Sequence, residues 1–263
     1  SSDVCSSDLE HADKLEEMIL LQQNLNNDTN GKYWPLGKSS NGKIINWKRC
    51  IYMETAELID SYPWKHWKNV NAEVDNDNIK IELVDIWHFL LSEILKNNNI
   101  ISTVKLFMLF HNNKFFLGEN FHEKGQPPEG LDLKKALSDL ENNEPKEYAF
   151  SNSDVSVYEE IIHLCSNPVN DCKFDFIMTE LFFKACAQEN LLFDELYKTY
   201  IGKNCLNKFR QDNGYKEGTY IKMWDGVEDN MVLLDCLEEL NTSLSFDSLY
   251  SILEKKYSEI KGN

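Results

Sequence analysis

Glu54-x-x-Glu57 and Glu82-x-x-Asp85 each place two carboxylates three residues apart, a spacing that puts both on one face of a helix. The first doublet is flanked by Ile51, Tyr52, Met53, Ala56, Leu58 and Ile59, the second by Ile79, Ile81, Leu83, Val84, Ile86 and Trp87. Sequence this apolar belongs in a core, so the two helices must pack on each other. A turn around Pro63 lets them run antiparallel, and the doublets then converge on one point. A lone E-x-x-E is most often a solvated helix face. Two of them in apolar surroundings favour another reading, because four ionised carboxylates at one point require cations. Oxygen-only donors suit Mg²⁺ or Mn²⁺ rather than zinc. Mg²⁺ is usually shared with substrate phosphates, which points to nucleotide chemistry.

The helical period extends along most of the chain. Leu15, Met18, Ile19, Gln22 and Leu21 or Leu25 start it, and Asn26 to Gly31 ends that first helix. After a loop with Pro35, Gly37 and Gly42, Trp47, Ile51, Met53, Ala56 and Leu58 resume it until Pro63. Asn76 or Asp77 caps a third helix from Ile79 to about Lys96. The pattern returns from Asp154 through His163, from Phe174 to Glu189 and from Phe193 to about Arg210, before the Asn213-Gly214 turn. Residues 97–150, with Gly118, Gly125, Pro127, Pro128, Gly130 and Pro145, interrupt it and read as a variable insertion. Residues 1–9, SSDVCSSDL, lack helical periodicity and read as a leader or tag, with structure starting near Glu10. No strand alternation persists, so the expected fold is all-α, one multi-helix domain over 10–263.

Asp plus Glu number 44 against 27 Lys plus Arg, a formal net charge of −17 that disfavours duplex nucleic acid and anionic membranes as partners. No apolar run reaches the roughly 18 residues of a membrane span. Seven cysteines without a C-x-x-C pair argue for reduced thiols, hence a cytoplasmic protein.

Against this acidity one local cluster stands out. Lys203, Asn207 and Arg210 share a helix face, and Tyr215 and Lys216 follow after a turn. Alone it reads as a charged helix exterior; beside a metal-bound polyphosphate it makes a phosphate clamp. Trp64 and Trp67 in PWKHWK and the run Trp87-His88-Phe89 offer rings for stacking a base, although such rings are more often core. His88 reads as a packing or supporting histidine.

Together these stretches resemble the dimeric, all-α deoxyuridine triphosphatase family, known from kinetoplastids, Campylobacter-like bacteria and some phages and related to the helical MazG-type pyrophosphohydrolases. The resemblance is carried by LLQQNLNNDTNG at 20–31, WKRCIYMETAELIDSYPWKHWK at 47–68, IKIELVDIWHF at 79–89, YKTYIGKNCLNKFRQDNGYK at 197–216 and WDGVEDN at 224–230. It implies hydrolysis of dUTP, and of dUDP, to dUMP by water attacking the α-phosphorus with two or three Mg²⁺ ions, for which Mn²⁺ can substitute. By the same resemblance Glu54, Glu57, Glu82, Asp85 and Asn207 are metal ligands, and Glu54 polarises the nucleophilic water. Lys203, Arg210, Tyr215 and Lys216 grip the outer phosphates, joined by Asp229 and Asn230 as a mobile part over 206–235 closes. Gln22, Asn26, Trp67 and Phe89 form the uracil pocket, with Asp85 at the deoxyribose 3′-hydroxyl. A homodimer with its site near the interface is implied as well.

Three other readings compete. A deoxycytidine triphosphatase or broader pyrophosphohydrolase shares every metal ligand and differs only at the base, where side-chain amides suit uracil or cytosine after a flip. A helical di-iron protein would use Glu160-x-x-His163 and Asp85-x-x-His88, although only one of these is the Glu-x-x-His such sites need twice. A non-catalytic helical binding protein would leave intact doublets without a use.

Overall fold

A computed structural model of the chain describes residues 6–68, 72–98, 155–167, 169–240 and 245–261. The expected insertion at 97–150 lies, except for its first two residues, outside the described residues.

The described residues form eight α-helices: α1 Ser6–Asn30, α2 Trp47–Asp60, α3 Asn76–Lys96, α4 Ser156–Ser166, α5 Asp171–Gln188, α6 Phe193–Asp212, α7 Asp229–Leu240 and α8 Phe246–Lys261. The fold is all-α, as the periodicity predicts. No helix among them is long and apolar enough to cross a membrane. Helix α1 begins at Ser6 rather than near Glu10, since extending a helix through residues without Pro or Gly costs far less than nucleating one. Asn46 caps α2 by accepting from the Arg49 N–H at 2.9 Å. Asp75, not Asn76 or Asp77, caps α3 through the Asn78 N–H at 3.0 Å, which leaves Asp77 in the first turn to complement the helix dipole.

Helix α3 is the axis of the bundle and packs on α1, α2, α5 and α6. Its Ile79, Leu83, Ile86, Trp87, Leu90, Leu91 and Ile94 are sealed from solvent. Trp87 stacks on Phe182 of α5 at 4.8 Å. A second core, built on Phe209, Trp224, Leu233, Leu253 and Tyr257, joins the C-terminal half of α6 to α7, α8 and a two-stranded hairpin. The hairpin pairs Met223–Trp224 with Val227–Glu228 in antiparallel register. Asp225 and Gly226 turn it at φ 50° and 85°, the positive angles a type I′ turn demands. Strands this short have no readable alternation, so only the Asp-Gly pair marked them in sequence.

Candidate active site

The two doublet helices form the hairpin expected from Pro63. The Asp75 N–H donates to Ser61 O at 3.0 Å and Asn78 Nδ2 to Ser61 Oγ at 2.8 Å, which ties the end of α2 to the start of α3. Glu54 and Glu82 each stand about two turns from this junction and therefore meet. Glu54, Glu82 and Asp85 each offer a carboxylate oxygen, and these oxygens lie within 4.8 Å of one another. Glu57, exposed on α2, lines the same cleft outside this triad.

Burial, then the charge of Asp85, pushes both Glu54 and Glu82 above the usual carboxylate range, and the two carboxyl groups hydrogen-bond each other. Among the described residues one cation balances the triad directly. The Lys203 ammonium, 1% exposed on α6, lies 2.8 Å from Asp85 Oδ2 and donates to Asn230 Oδ1 at 2.9 Å. The cleft, of about 720 Å³, carries eight acidic side chains against Lys203, Arg210 and Lys222. A polyphosphate enters such a cleft only with cations that offset its walls. An all-oxygen triad with two proton-sharing members fits Mg²⁺ or Mn²⁺ by its donor chemistry.

Arg210 stands where this cleft meets a second cavity of about 310 Å³. Asp229, fully buried, accepts from Arg210 Nε at 2.8 Å and from Nη2 at 2.7 Å, and Tyr220 donates to Asp229 Oδ2 at 2.8 Å. Asp229 therefore holds Arg210 in place instead of facing the cleft, which Asn230 does line. Asn207 accepts from Arg210 Nη1 at 3.2 Å and lines the second cavity, which Asp85 of the triad also borders. Tyr215 borders both cavities. Lys216 lies outside both linings and donates to the Asp28 carbonyl at 3.3 Å.

The second cavity gathers Gln22, Asn26, Asp85 and Phe89, four of the five residues expected at the base and sugar. Trp67 is not there. It is 61% exposed and packs edge-on against Trp64. The aromatic wall is instead Trp47, 6% exposed and stacked on Phe89 at 5.9 Å with 26° between the rings. Trp47 precedes Glu54 by two helical turns on one face, a spacing that marks it in sequence. Lys222, just before the hairpin, and Glu228, at its end, pair at 2.6 Å at the cleft; two-residue strands give such positions no periodic signal in sequence. The di-iron ligand set is not assembled: Glu160 and His163 are exposed on α4, and His88 is engaged by Gln22.

No curated protein matches this chain. The family model for dUTPase matches residues 14–215, a span that takes in the carboxylate triad, the Trp47–Phe89 wall, Lys203 and Arg210. The chain belongs to the all-α dimeric dUTPase family.

Proposed function

We propose that this protein is a Mg²⁺-dependent dUTP pyrophosphohydrolase that converts dUTP to dUMP and pyrophosphate, and dUDP to dUMP and phosphate, through attack of water on the α-phosphorus. The observation that carries this reading is the shared border of the two cavities: Asp85, Arg210 and Tyr215 line both, so a nucleotide can lay its base in one and its phosphates in the other. Glu54, Glu82 and Asp85, with Glu57 beside them, are the residues that would hold the cations. Bound there, Mg²⁺ supplies charge neutralisation and lowers the pKa of the attacking water.

The chain's own groups supply the rest. Glu54 accepts the proton of the water, Asp85 fixes the deoxyribose 3′-hydroxyl, and Trp47 and Phe89, stacked on each other, form the wall of the base cavity. Lys203 and Arg210 face the phosphates, joined by Asn230 and by Tyr215. A homodimer, a closing motion over 206–235 and a cytoplasmic setting belong to the same proposal. Product analysis of dUTP with Mg²⁺ and with chelator tests it. Equimolar dUMP and pyrophosphate, abolished by chelation, is the expected result, and dUTP left intact in the presence of Mg²⁺ would refute it.

A further inference from the structure

Behind the metal cleft, one carboxylate oxygen gathers donors from three parts of the chain. Glu189 caps the C-terminal end of α5, and its N–H donates to Ala185 O at 3.1 Å, which fixes its backbone to that helix. Its Oε1 accepts from Tyr62 OH at 2.6 Å, from Tyr158 OH at 2.6 Å and from Gln188 Nε2 at 2.8 Å. Tyr158 is fully buried on α4, and Tyr62 is the second residue after α2. An ionised carboxylate only accepts and each phenol has one proton to give, so both hydroxyls are committed to Glu189. O–H···O⁻ contacts of this length belong to the strong, charge-assisted class. Burial, then the hydrogen bond to Glu189, pushes the Tyr62 hydroxyl up to about 12 and raises Tyr158 as well, so neither proton is lost near neutral pH.

The place of Tyr62 in the chain links this anchor to the metal site. Tyr62 borders the cleft beside Ser61, the residue that ties the end of α2 to the start of α3. Glu57 lies one turn before Ser61, and Glu82 one turn after Asn78, which donates to Ser61 Oγ. The junction therefore sets how far the α2 carboxylates are offset along those of α3. The Tyr62 backbone bonds are local: its N–H donates to Ile59 O at 3.1 Å, and its carbonyl accepts from the Trp64 N–H at 2.8 Å. The side chain is what reaches the other helix pair, with its ring 6.0 Å from that of Tyr158 and its hydroxyl on Glu189.

We propose that Glu189 is a positioning residue of the metal site, which acts through Tyr62 to hold the α2 carboxylates in register with those of α3 for a divalent cation. The proposal rests on the dUTPase reading above, in which Glu54, Glu57, Glu82 and Asp85 hold the cations. Mg²⁺ demands near-ideal octahedral oxygen geometry, so a small slide of one doublet past the other weakens binding more than it disturbs packing. Groups that orient metal ligands from behind commonly change affinity by about 10- to 100-fold. Glu189 acts on the junction rather than on a ligand, which places its effect at the lower end of that range. Tyr158 shares the same oxygen but belongs to α4, so it braces Glu189 without touching the junction.

Mn²⁺ binding to the nucleotide-free protein, read from the EPR signal of free Mn²⁺, tests this apart from turnover. Glu189→Ala and Tyr62→Phe are each expected to weaken binding on the order of 10-fold. The double variant should lose no more than either, since both break one link. Glu189→Gln keeps a carbonyl for the two hydroxyls and should recover most of the loss. Tyr158→Phe removes a buried hydroxyl from the same oxygen and leaves Tyr62 in place; it should lower the melting temperature with Mn²⁺ affinity unchanged. Wild-type Mn²⁺ affinity in folded Glu189→Ala or Tyr62→Phe, or an equal loss in Tyr158→Phe, would overturn the proposal. If Glu189→Ala does not fold, Tyr62→Phe, which deletes a single oxygen, decides. Wild-type protein that hydrolyses dUTP with Mg²⁺ while these tests fail would leave the proposed function standing and remove only Glu189 from it. Wild-type protein that leaves dUTP intact with Mg²⁺ would remove both.

Discussion

The Lys203 ammonium and the Asp85 carboxylate meet at 2.8 Å on a side chain, Lys203, that is 1% exposed, so the triad's direct counter-charge is buried in the wall of the site. Removing one partner of a buried pair leaves the other charge uncompensated. Lys203→Met is expected to cost the metal-free protein about 3 kcal/mol, and less with Mg²⁺ present, because the cation takes over the neutralisation. Urea denaturation with chelator and with Mg²⁺ measures both terms; equal losses under the two conditions would contradict the arrangement.

The raised carboxyl groups of Glu54 and Glu82 set a pH dependence of definite sign. A group whose pKa is higher folded than unfolded contributes full stability below the unfolded value and loses it as pH rises through the folded one. The melting temperature of chelated protein should therefore fall between about pH 5 and about pH 9, from the ordinary carboxylate range up through the raised values of about 7 for Glu54 and about 9 for Glu82. Mg²⁺ binds the ionised forms, so saturating Mg²⁺ should remove or reverse this slope. A chelated melting temperature that rises over the same range would contradict it.

The triad and its neighbour Glu57 predict graded effects. Glu54→Gln should lower turnover on the order of 10²-fold or more, yet raise the melting temperature of chelated protein near pH 8 by removing one of three crowded negative charges. Glu57→Gln, on the cleft wall beyond the triad, should lose on the order of 10-fold, in part recovered at higher Mg²⁺. Steady-state assays across a Mg²⁺ titration check both, and a Glu57→Gln variant indistinguishable from wild type would remove Glu57 from the site.

Asp229 grips the guanidinium of Arg210 with both oxygens from a fully buried position. Asp229→Asn should cost about 3 kcal/mol and raise KM for nucleotide, since Arg210 is no longer held at the junction of the two cavities. Denaturation and saturation kinetics on the same preparation read the two effects, and wild-type values for both would contradict the role.

The reach of sequence reasoning here follows the reach of periodicity. Glu54, Glu82 and Asp85 were legible because an i, i+3 doublet in apolar sequence fixes a helix face, and the Pro63 turn fixes which two faces meet. The different standing of Glu57 was not, since a spacing of three names a shared face without saying which of the two carboxylates reaches across. Trp67 looked like a base platform from its place in PWKHWK, whereas Trp47, one face with Glu54, is the ring that stacks on Phe89. Asp229 read as a phosphate-side residue from its neighbours in WDGVEDN; that it instead orients Arg210 depends on the hairpin and the second core, whose two-residue strands leave no pattern.

The central claim is that a carboxylate cluster on α2 and α3 drives hydrolysis of dUTP. The most direct measurement is pyrophosphate release from dUTP with Mg²⁺ by wild-type protein and by Glu82→Gln, each verified as folded by circular dichroism. Stoichiometric pyrophosphate and dUMP are expected from the wild type, with a loss on the order of 10²-fold or more in the variant. Equal release by the two proteins would contradict it.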